Sequence, residues 1–272
     1  MTPRMEIIAR GNTPAEGELA PGVELRTFAS GARGARELAT RMVTLRPGAE
    51  LPYHTQPFSE VITALAGHVQ VLVEGRRYQV GPFDAIHVPA GVAHASMNPS
   101  AVAPALLLAA FAGETPTREV VERTFPVVDR EGTVASLPEH LTRFAEAPVY
   151  ELAARARFRD LFAGRFGARG LCGGYGVFEP GASLPCHVHG FDESITIVGG
   201  TAICQVAGRE YELSGFDTAC VPQGRPHRFL NRSAAPMAMI WIYAGDEPDR
   251  TLVDPGYCEG LIPFEAGDLK PG

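Results

Sequence analysis

The stretch that decides the fold runs from Gly181 to Gly200 and has the sequence GASLPCHVHGFDESITIVGG. Its pattern is G-x5-H-x-H-x3-E-x6-G. His187 and His189 are two residues apart, so on a strand both side chains project from the same face. Glu193 follows across a short turn, at the start of the next predicted strand. The stretch therefore predicts two imidazoles and one carboxylate that meet on one face.

A second stretch, from Phe216 to Asn231, supplies a further candidate ligand. Its sequence FDTACVPQGRPHRFLN contains P-x-G-x2-H-x3-N, and His227 lies on a predicted strand that can close the set. Three imidazoles and one carboxylate suit Fe(II), Mn(II), Ni, Cu or Zn, and they leave coordination positions open for catalysis. A single buried histidine is more often a hydrogen-bonded core residue. Four metal-competent residues at this spacing favour a metal site.

The chain repeats itself at an offset of 133 residues, the separation of His54 and His187. At this offset residues 47–67 and 180–200 share 11 of 21 positions, and residues 83–98 and 216–231 share 7 of 16. Self-similarity over this length indicates two copies of one structural unit. The chain therefore contains two predicted domains of the same fold.

The first unit carries a changed version of the same set. His54, Glu60 and His94 match ligand positions of the second unit, while Gln56 stands where the second unit has His189. A glutamine offers a neutral carbonyl oxygen, so the predicted first set is His54, Gln56, Glu60 and His94. An amide oxygen is a poor ligand for softer metals. The alternative is a degenerate barrel that is kept for packing or dimerisation.

These motifs resemble the two signature motifs of the cupin superfamily, and the duplicated chain resembles a bicupin. The resemblance implies an all-β chain of two tandem cupin barrels, each a double-stranded β-helix or jelly roll. Alternating strands rich in Val, Ile and Thr, punctuated by Gly and Pro, are typical of such antiparallel folds. One departure recurs, because Phe83 and Phe216 stand where the family usually has glycine.

The organisation outside the two units follows from local signals. Ser136 and Glu139 form a capping-box pattern, and Leu137, Leu141 and Phe144 fall on one helical face, which predicts a short helix between the units. The predicted segments are an N-terminal arm over the surface (1–22), an N-terminal cupin (23–115), a linker with the helix (116–152), a C-terminal cupin (153–250) and a C-terminal tail (251–272).

Composition excludes several classes of partner. The formal net charge of −7 argues against nucleic acid, and no apolar run approaches the ~20 residues that span a bilayer. The five cysteines are odd in number and none has C-x-x-C spacing, which predicts no disulfide framework and a reducing, cytoplasmic location. The expected partners are a small-molecule substrate and a second copy of the chain, as a homodimer.

Three functions remain open. The first is an O₂-using dioxygenase of a phenolic or diketone-like substrate, similar to quercetinase-like bicupins, with Fe(II) or Mn(II) as the favoured cofactor. Glu193, and Glu60 in the first unit, are then ligands that also act as catalytic bases. The second is a non-redox isomerase, lyase, decarboxylase or hydrolase. The third is a binding protein without turnover.

The aromatic residues near the second motif are expected to be core rather than substrate wall. They are Phe229, Trp241 and Tyr243. His68, His87 and His140 have no partner at ligand spacing and are expected to fill the core or the surface. Cys186 precedes His187, and strand alternation predicts a packing role for it.

Overall fold

Residues 4–265, the part of the chain that the computed structural model describes, form twenty-five strands, two 3₁₀ turns and one short α-helix. The strands of the first half are β1 (Ile7–Ala9), β2 (Gly17–Ala20), β3 (Val23–Ala29), β4 (Ala39–Leu45), β5 (Glu50–Thr55), β6 (Glu60–Ala66), β7 (Val69–Val73), β8 (Arg76–Val80), β9 (Ala85–Val88), β10 (His94–Met97), β11 (Ala105–Phe111), β12 (Glu119–Val120), β13 (Val128–Arg130) and β14 (His140–Thr142).

The second half repeats this order. Its strands are β15 (Tyr150–Ala153), β16 (Ala156–Phe162), β17 (Cys172–Phe178), β18 (His187–Val188), β19 (Glu193–Gly199), β20 (Thr201–Val206), β21 (Arg209–Ser214), β22 (Thr218–Val221), β23 (His227–Leu230), β24 (Met237–Tyr243) and β25 (Thr251–Leu252). The 3₁₀ turns Gly31–Arg33 and Gly164–Phe166 occupy matching places, and helix α1 (Pro255–Glu259) follows β25.

Each half forms a barrel from two facing sheets. In the first barrel the sheet β14-β9-β6-β11-β4-β3-β2 faces the sheet β12-β5-β10-β7-β8-β13. In the second barrel the sheet β1-β22-β19-β24-β17-β16-β15 faces the sheet β21-β20-β23-β18-β25. Each barrel encloses its own apolar core, which alternating strand residues fill. The predicted all-β fold of two tandem barrels is confirmed.

The two seven-stranded sheets pack against each other and join the barrels. A third apolar cluster lies between them, and it combines Met42 and Leu108 of the first barrel with Phe162 and Ile240 of the second. These residues point away from their own barrel interiors, because neighbouring residues on each strand alternate between the two faces. A sheet that is buried on both faces explains why β6 and β11 are apolar along almost their whole length.

The predicted helix of the linker is wrong. His140–Thr142 form strand β14, which pairs antiparallel with β9 and places Leu141 opposite Ile86. The apolar spacing at Leu137, Leu141 and Phe144 fits a helix locally, but the exposed edge of β9 offers backbone partners that override this weak preference. Strands β12 and β13 of the predicted linker likewise pair with β5 and β8 of the first barrel.

The N-terminal arm is more than a surface segment. Strand β1 pairs antiparallel with β22 and thus completes the seven-stranded sheet of the second barrel. Both oxygens of the Glu6 side chain are engaged, since Oε2 accepts from Arg225 at 2.7 Å and Oε1 accepts from Tyr211 at 2.7 Å. The arm thus gives the second barrel the edge strand that β14 gives the first. Residues 1–3 of the predicted arm and 266–272 of the predicted tail lie outside the described residues.

The recurring phenylalanines keep the backbone shape that glycine adopts most easily. Phe83 and Phe216 have φ values of 66° and 69°, in the left-handed region that disfavours residues with a Cβ atom. The Phe83 ring packs against Phe144 and Tyr175, at centroid distances of 5.4 and 5.0 Å, between the two barrels. Packing of the ring offsets the backbone strain at this position.

The prediction that the chain has no disulfide is wrong. Cys186 and Cys258 are bonded, which fastens helix α1 beside strand β18, while Cys172, Cys204 and Cys220 are free and buried. The two bonded cysteines are 72 residues apart in sequence, so spacing rules could not pair them. They meet because β25 pairs with β18 and brings the C-terminal segment back across the barrel.

Candidate metal centres

The second barrel brings its four predicted ligands together. His187 lies on β18, Glu193 begins β19 and His227 begins β23, while His189 follows β18 directly. Antiparallel pairing sets His187 opposite His227. All four side chains are buried, and one ligand atom from each lies within 4.8 Å of the others. The fold therefore places three imidazoles and a carboxylate around one point.

Backbone carbonyls fix the orientation of all three rings. His187 Nδ1 donates to Pro185 O at 2.8 Å, His227 Nδ1 donates to Arg225 O at 2.9 Å, and His189 Nδ1 donates to Asp249 O. An imidazole that donates through Nδ1 leaves its Nε2 atom to face the centre, where it can act as a ligand. Such outer hydrogen bonds are typical of metal-binding histidines, because they set the tautomer and the ring orientation.

The converging atoms fit a bound cation. Glu193 Oε2 lies 2.6 Å from His227 Nε2 and 3.3 Å from His189 Nε2, and the latter atom is buried without a hydrogen-bond partner. Lone pairs on neutral imidazoles and on a carboxylate repel one another unless a proton or a metal ion lies between them. The donor set therefore suits a divalent metal ion.

Electrostatics hold these groups in the forms that bind metal. Burial raises the pKa of Glu193, but His189 and His227 outweigh burial and hold that pKa below its ordinary value. Burial, with His227 and His189 nearby, lowers the pKa of His187 well below its ordinary value. The carboxylate is thus ionised and His187 is neutral at pH 7, so metal binding needs no costly deprotonation of either group.

The first barrel repeats this arrangement with three of its four predicted ligands. His54, Glu60 and His94 are buried, with ligand atoms within 4.8 Å of one another. His54 Nδ1 donates to Pro52 O at 2.8 Å, as His187 does to the equivalent proline. Glu60 Oε2 lies 2.9 Å from His94 Nε2. Gln56 is buried as well, and its Oε1 atom has no hydrogen-bond partner. Its role as a ligand stays a prediction.

Glu60 and His54 match their counterparts in the second centre, whereas burial lowers the pKa of His94 but Glu60 outweighs burial and raises that pKa above its ordinary value. Burial and the nearby His94 lower the pKa of His54 to about 4. Burial raises the pKa of Glu60, but His94, His54 and Arg41 together hold it below its ordinary value. Both groups therefore offer free lone pairs at pH 7. The first centre differs from the second mainly in its amide and in a neighbouring guanidinium.

A cavity of about 280 Å³ opens onto the second centre. Its lining consists of Tyr150, Leu152, Phe158, Leu184, His187, Glu193, Phe229, Met239, Trp241, Tyr243, Pro248, Asp249 and Arg250. We call it the aromatic chamber. Phe229 and Trp241 belong to the barrel core, as expected, with Tyr243 packed against it, and all three residues also line the chamber. Strand periodicity could show that they point inward but not that space remains inside.

Glycines opposite large aromatic rings shape this chamber. Phe158 on β16 is the cross-strand partner of Gly176 on β17, and in the first barrel the equivalent pair is Leu25 and Val43. A Cβ atom on Gly176 would lie 2.6 Å from Cε1 of Phe158. The glycine therefore leaves room for the ring, whereas the first barrel fills the same place with two side chains of medium size.

A second cross-strand pair also combines a glycine with a large ring in the second barrel and differs from its equivalent in the first. Trp241 on β24 is the partner of Gly174. A Cβ atom on Gly174 would come closest to a backbone oxygen of β16 and would lie 2.9 Å from Cζ2 of Trp241. The equivalent pair in the first barrel is Ala109 and Arg41. Arg41 is half-buried, with its guanidinium carbon 5.5 Å from the centre of the Phe111 ring. An indole wall in one barrel thus corresponds to a guanidinium in the other.

Arg250 is a chamber residue that the sequence interpretation missed. It follows β24 and directly precedes β25, the strand that pairs with the ligand strand β18. A signal for it exists in the repeat, since the pattern A-G-x2-P-x-R occurs at 112–118 and again at 244–250. The offset there is 132 rather than 133 residues, so an ungapped comparison does not align Arg250 with Arg118.

Fold and site together define a bicupin with two His/Glu centres that can hold metal. The chain belongs to the cupin family, because the cupin domain model matches residues 41–111 and again 174–243. A search among curated proteins found no match. No helix in the described part of the chain is both long enough and apolar enough to cross a membrane.

Solved structures show the same two-barrel fold at low sequence identity. Oxalate decarboxylase from Bacillus subtilis at pH 4.6 has 17% identity and a TM-score of 0.72, with 91% of this chain and 78% of that chain covered. The formate complex of Lactobacillus farciminis oxalate decarboxylase has 14% identity and a TM-score of 0.74, with 93% and 90% covered. A third similar structure concerns the Mn(II) centres of the Bacillus subtilis enzyme.

Proposed function

We propose that this chain is a metal-dependent enzyme whose reaction takes place in the second barrel. The observation that carries this proposal is the direct contact of the centre with the aromatic chamber, since His187 and Glu193 both line it. A structural metal site is normally closed, whereas a catalytic site keeps access for substrate. A cavity next to such a donor set is the arrangement that catalysis needs.

The ligands of the proposed metal are His187, His189, Glu193 and His227 in the second barrel, and His54, Gln56, Glu60 and His94 in the first. Mn(II) and Fe(II) suit the hard carboxylate combined with imidazoles, and the Mn(II) centres of the similar Bacillus subtilis enzyme favour manganese. A bound divalent ion supplies Lewis acidity and, as manganese or iron, access to one-electron chemistry.

The proposed reaction is O₂-dependent cleavage of a small phenolic or diketone-like substrate. Aromatic walls at Phe158, Trp241 and Tyr243 suit a flat ring better than a very small polar acid. Glu193 is ionised in the folded protein, and we assign it as the carboxylate that accepts a phenolic or enolic proton. We assign the same role to Glu60 in the first barrel, as a second and weaker candidate.

A second candidate reaction is decarboxylation without net use of O₂. The likeness of the whole chain to two oxalate decarboxylase structures favours it, as does the presence of Arg250 in the chamber. In this reaction Arg250 would bind a carboxylate, and Glu193 would accept a proton from the substrate and return it to the product. The two candidates share the site and differ in their need for O₂.

Turnover assays with and without O₂ test the proposal. Full-length protein purified without affinity nickel is loaded with Mn(II) or Fe(II) and mixed with phenols, diketones and small carboxylic acids. We expect O₂ uptake in step with substrate loss, and His187→Ala removes it while the repeat equivalent His54→Ala retains most of it. Equal turnover under nitrogen selects the decarboxylase-like reaction. No turnover with any metal would contradict the enzyme assignment.

A further inference from the structure

Arg250 contributes a positive charge to the aromatic chamber. Its side chain is half-buried and lines the cavity together with His187 and Glu193. Within residues 4–265 its guanidinium has no hydrogen bond and no ion pair. The adjacent Asp249 is exposed and uses its backbone carbonyl to hold His189. A guanidinium that lines a cavity and forms no ion pair with the carboxylates beside it is suited to an anionic ligand.

The rest of the chamber indicates what else the ligand must carry. Phe158, Phe229 and Trp241 supply flat apolar surface, and the indole Nε1 of Trp241 is buried without a hydrogen-bond partner. A donor of this kind can meet an acceptor on a ligand. The volume of about 280 Å³ lies just below the usual range of ligand pockets, which is about 300–1,000 Å³. The chamber therefore fits a molecule built around a single ring.

We propose that the aromatic chamber binds small aromatic carboxylates, with Arg250 as the residue that recognises the carboxylate. The ring lies between the aromatic walls, and the far end of the ligand faces Glu193 and His187. The conclusion that such carboxylates are substrates rests on the proposed function. Their binding to the chamber can be measured without turnover. A planar guanidinium can bind both oxygens of a carboxylate in parallel, which a neutral group cannot do.

The first barrel supplies a matched control in Arg118, the repeat counterpart of Arg250. Arg118 directly precedes β12, as Arg250 precedes β25. Its Nη2 atom donates to Leu19 O at 2.5 Å, so part of this guanidinium serves the backbone of its own barrel. The two arginines thus share sequence context and position in the fold, and Arg250 alone of the pair lines the aromatic chamber.

Calorimetric titration under nitrogen tests the proposal with benzoate and with benzyl alcohol, its uncharged analogue of similar size. The experiment uses the full-length protein as purified, and the variants Arg250→Met and Arg118→Met. We expect the wild type to bind benzoate more tightly than benzyl alcohol by about 10- to 100-fold. Arg250→Met removes this preference, and Arg118→Met keeps it. Equal melting temperatures of the three proteins show that the fold is intact.

Three results would overturn the proposal: a wild type that does not prefer benzoate, an Arg250→Met variant that keeps the preference, or an Arg118→Met variant that loses it. The second result would mean that the carboxylate binds elsewhere, for instance at the metal. The binding test is independent of the turnover assay that tests the proposed function, because binding under nitrogen requires no reaction. Binding without turnover would leave the chamber assignment standing and remove the enzyme assignment.

Discussion

Gly176 and Phe158 face each other across strands β17 and β16, and the missing side chain of the glycine is what lets the phenylalanine ring lie where it does. We predict that Gly176→Ala pushes this ring into the aromatic chamber, since a Cβ atom would lie 2.6 Å from Cε1. Overpacking of this kind costs about 1–3 kcal/mol of unfolding free energy. Benzoate titration and urea unfolding measure both effects.

Two further variants make this prediction specific. Gly132→Ala is the control, because a Cβ atom at Gly132 meets nothing within 4 Å. Phe158→Leu in the Gly176→Ala background imitates the Leu25–Val43 pair of the first barrel, and it should restore stability. If Gly176→Ala leaves both ligand affinity and stability unchanged, the glycine does not shape the chamber.

Exchange of one ligand between the barrels tests why the two centres differ. Gln56→His gives the first barrel a third imidazole, and His189→Gln gives the second barrel an amide. Imidazole suits iron, nickel, copper and zinc, whereas a carbonyl oxygen suits harder ions. We expect Fe(II) affinity to rise at least about tenfold in the first centre of Gln56→His, and to fall by a similar factor in the second centre of His189→Gln.

Each exchange variant is titrated with Fe(II) under nitrogen in the background that disables the other centre, His187→Ala or His54→Ala. Unchanged affinities in both variants would show that position 56 and position 189 do not contribute ligands. A gain in one barrel without a loss in the other would place only the responding residue in a metal centre.

His87 makes the folded state sensitive to acid. Its ring is buried on β9 without a hydrogen bond, and burial together with the nearby His140 lowers its pKa to about 4. In the unfolded chain His87 binds a proton near pH 6.5, whereas in the folded chain it does so only near pH 4. The free energy of unfolding is therefore unaffected by His87 above pH 6.5 and falls as the pH drops from 6.5 towards 4. The loss amounts to about 3 kcal/mol.

Urea unfolding at pH 7, 5.5 and 4.5 measures this contribution. We expect His87→Leu to lose less stability than the wild type between pH 6.5 and 4, and His68→Leu to follow the wild type because His68 is exposed. His54 and His187 also have lowered pKa values, so part of the acid sensitivity remains in every variant. Identical acid curves for His87→Leu and the wild type would contradict the prediction.

The bond between Cys186 and Cys258 fastens the C-terminal segment beside the ligand strand. Because it closes a long loop, its removal by Cys258→Ser should cost about 2–4 kcal/mol of unfolding free energy. Wild type treated with dithiothreitol should then match the variant. Thiol titration of the denatured, unreduced wild type should find three free thiols, in agreement with Cys172, Cys204 and Cys220. Five thiols would show that the bond does not form.

The residues that converge on each centre could be predicted, because their chemistry and spacing are local. His187 and His189 share one strand-turn segment, and the repeat carries the pattern to His54 and Glu60. The resemblance to cupins supplied the barrel, and alternation along each strand supplied the inward direction of the ligands.

The parts that sequence did not predict depend on partners far away in the chain. Strand β14 forms where a helix was expected, because the edge of β9 was open to pair with it. Arg250 reaches the chamber because β25 returns to β18, and Gly174 and Gly176 stand opposite Trp241 and Phe158 of the chamber wall. A glycine within a strand leaves room for a large ring on the facing strand.

Metal content per chain tests the central claim most directly. Plasma mass spectrometry is applied to wild type, His187→Ala and His54→Ala, all purified without chelator or affinity nickel and reloaded with Mn(II). We predict that His187→Ala loses one ion per chain and all turnover while its melting transition persists, and that His54→Ala keeps the ion of the second barrel. Full metal occupancy in His187→Ala would contradict the assignment of His187, His189, Glu193 and His227 as the catalytic centre.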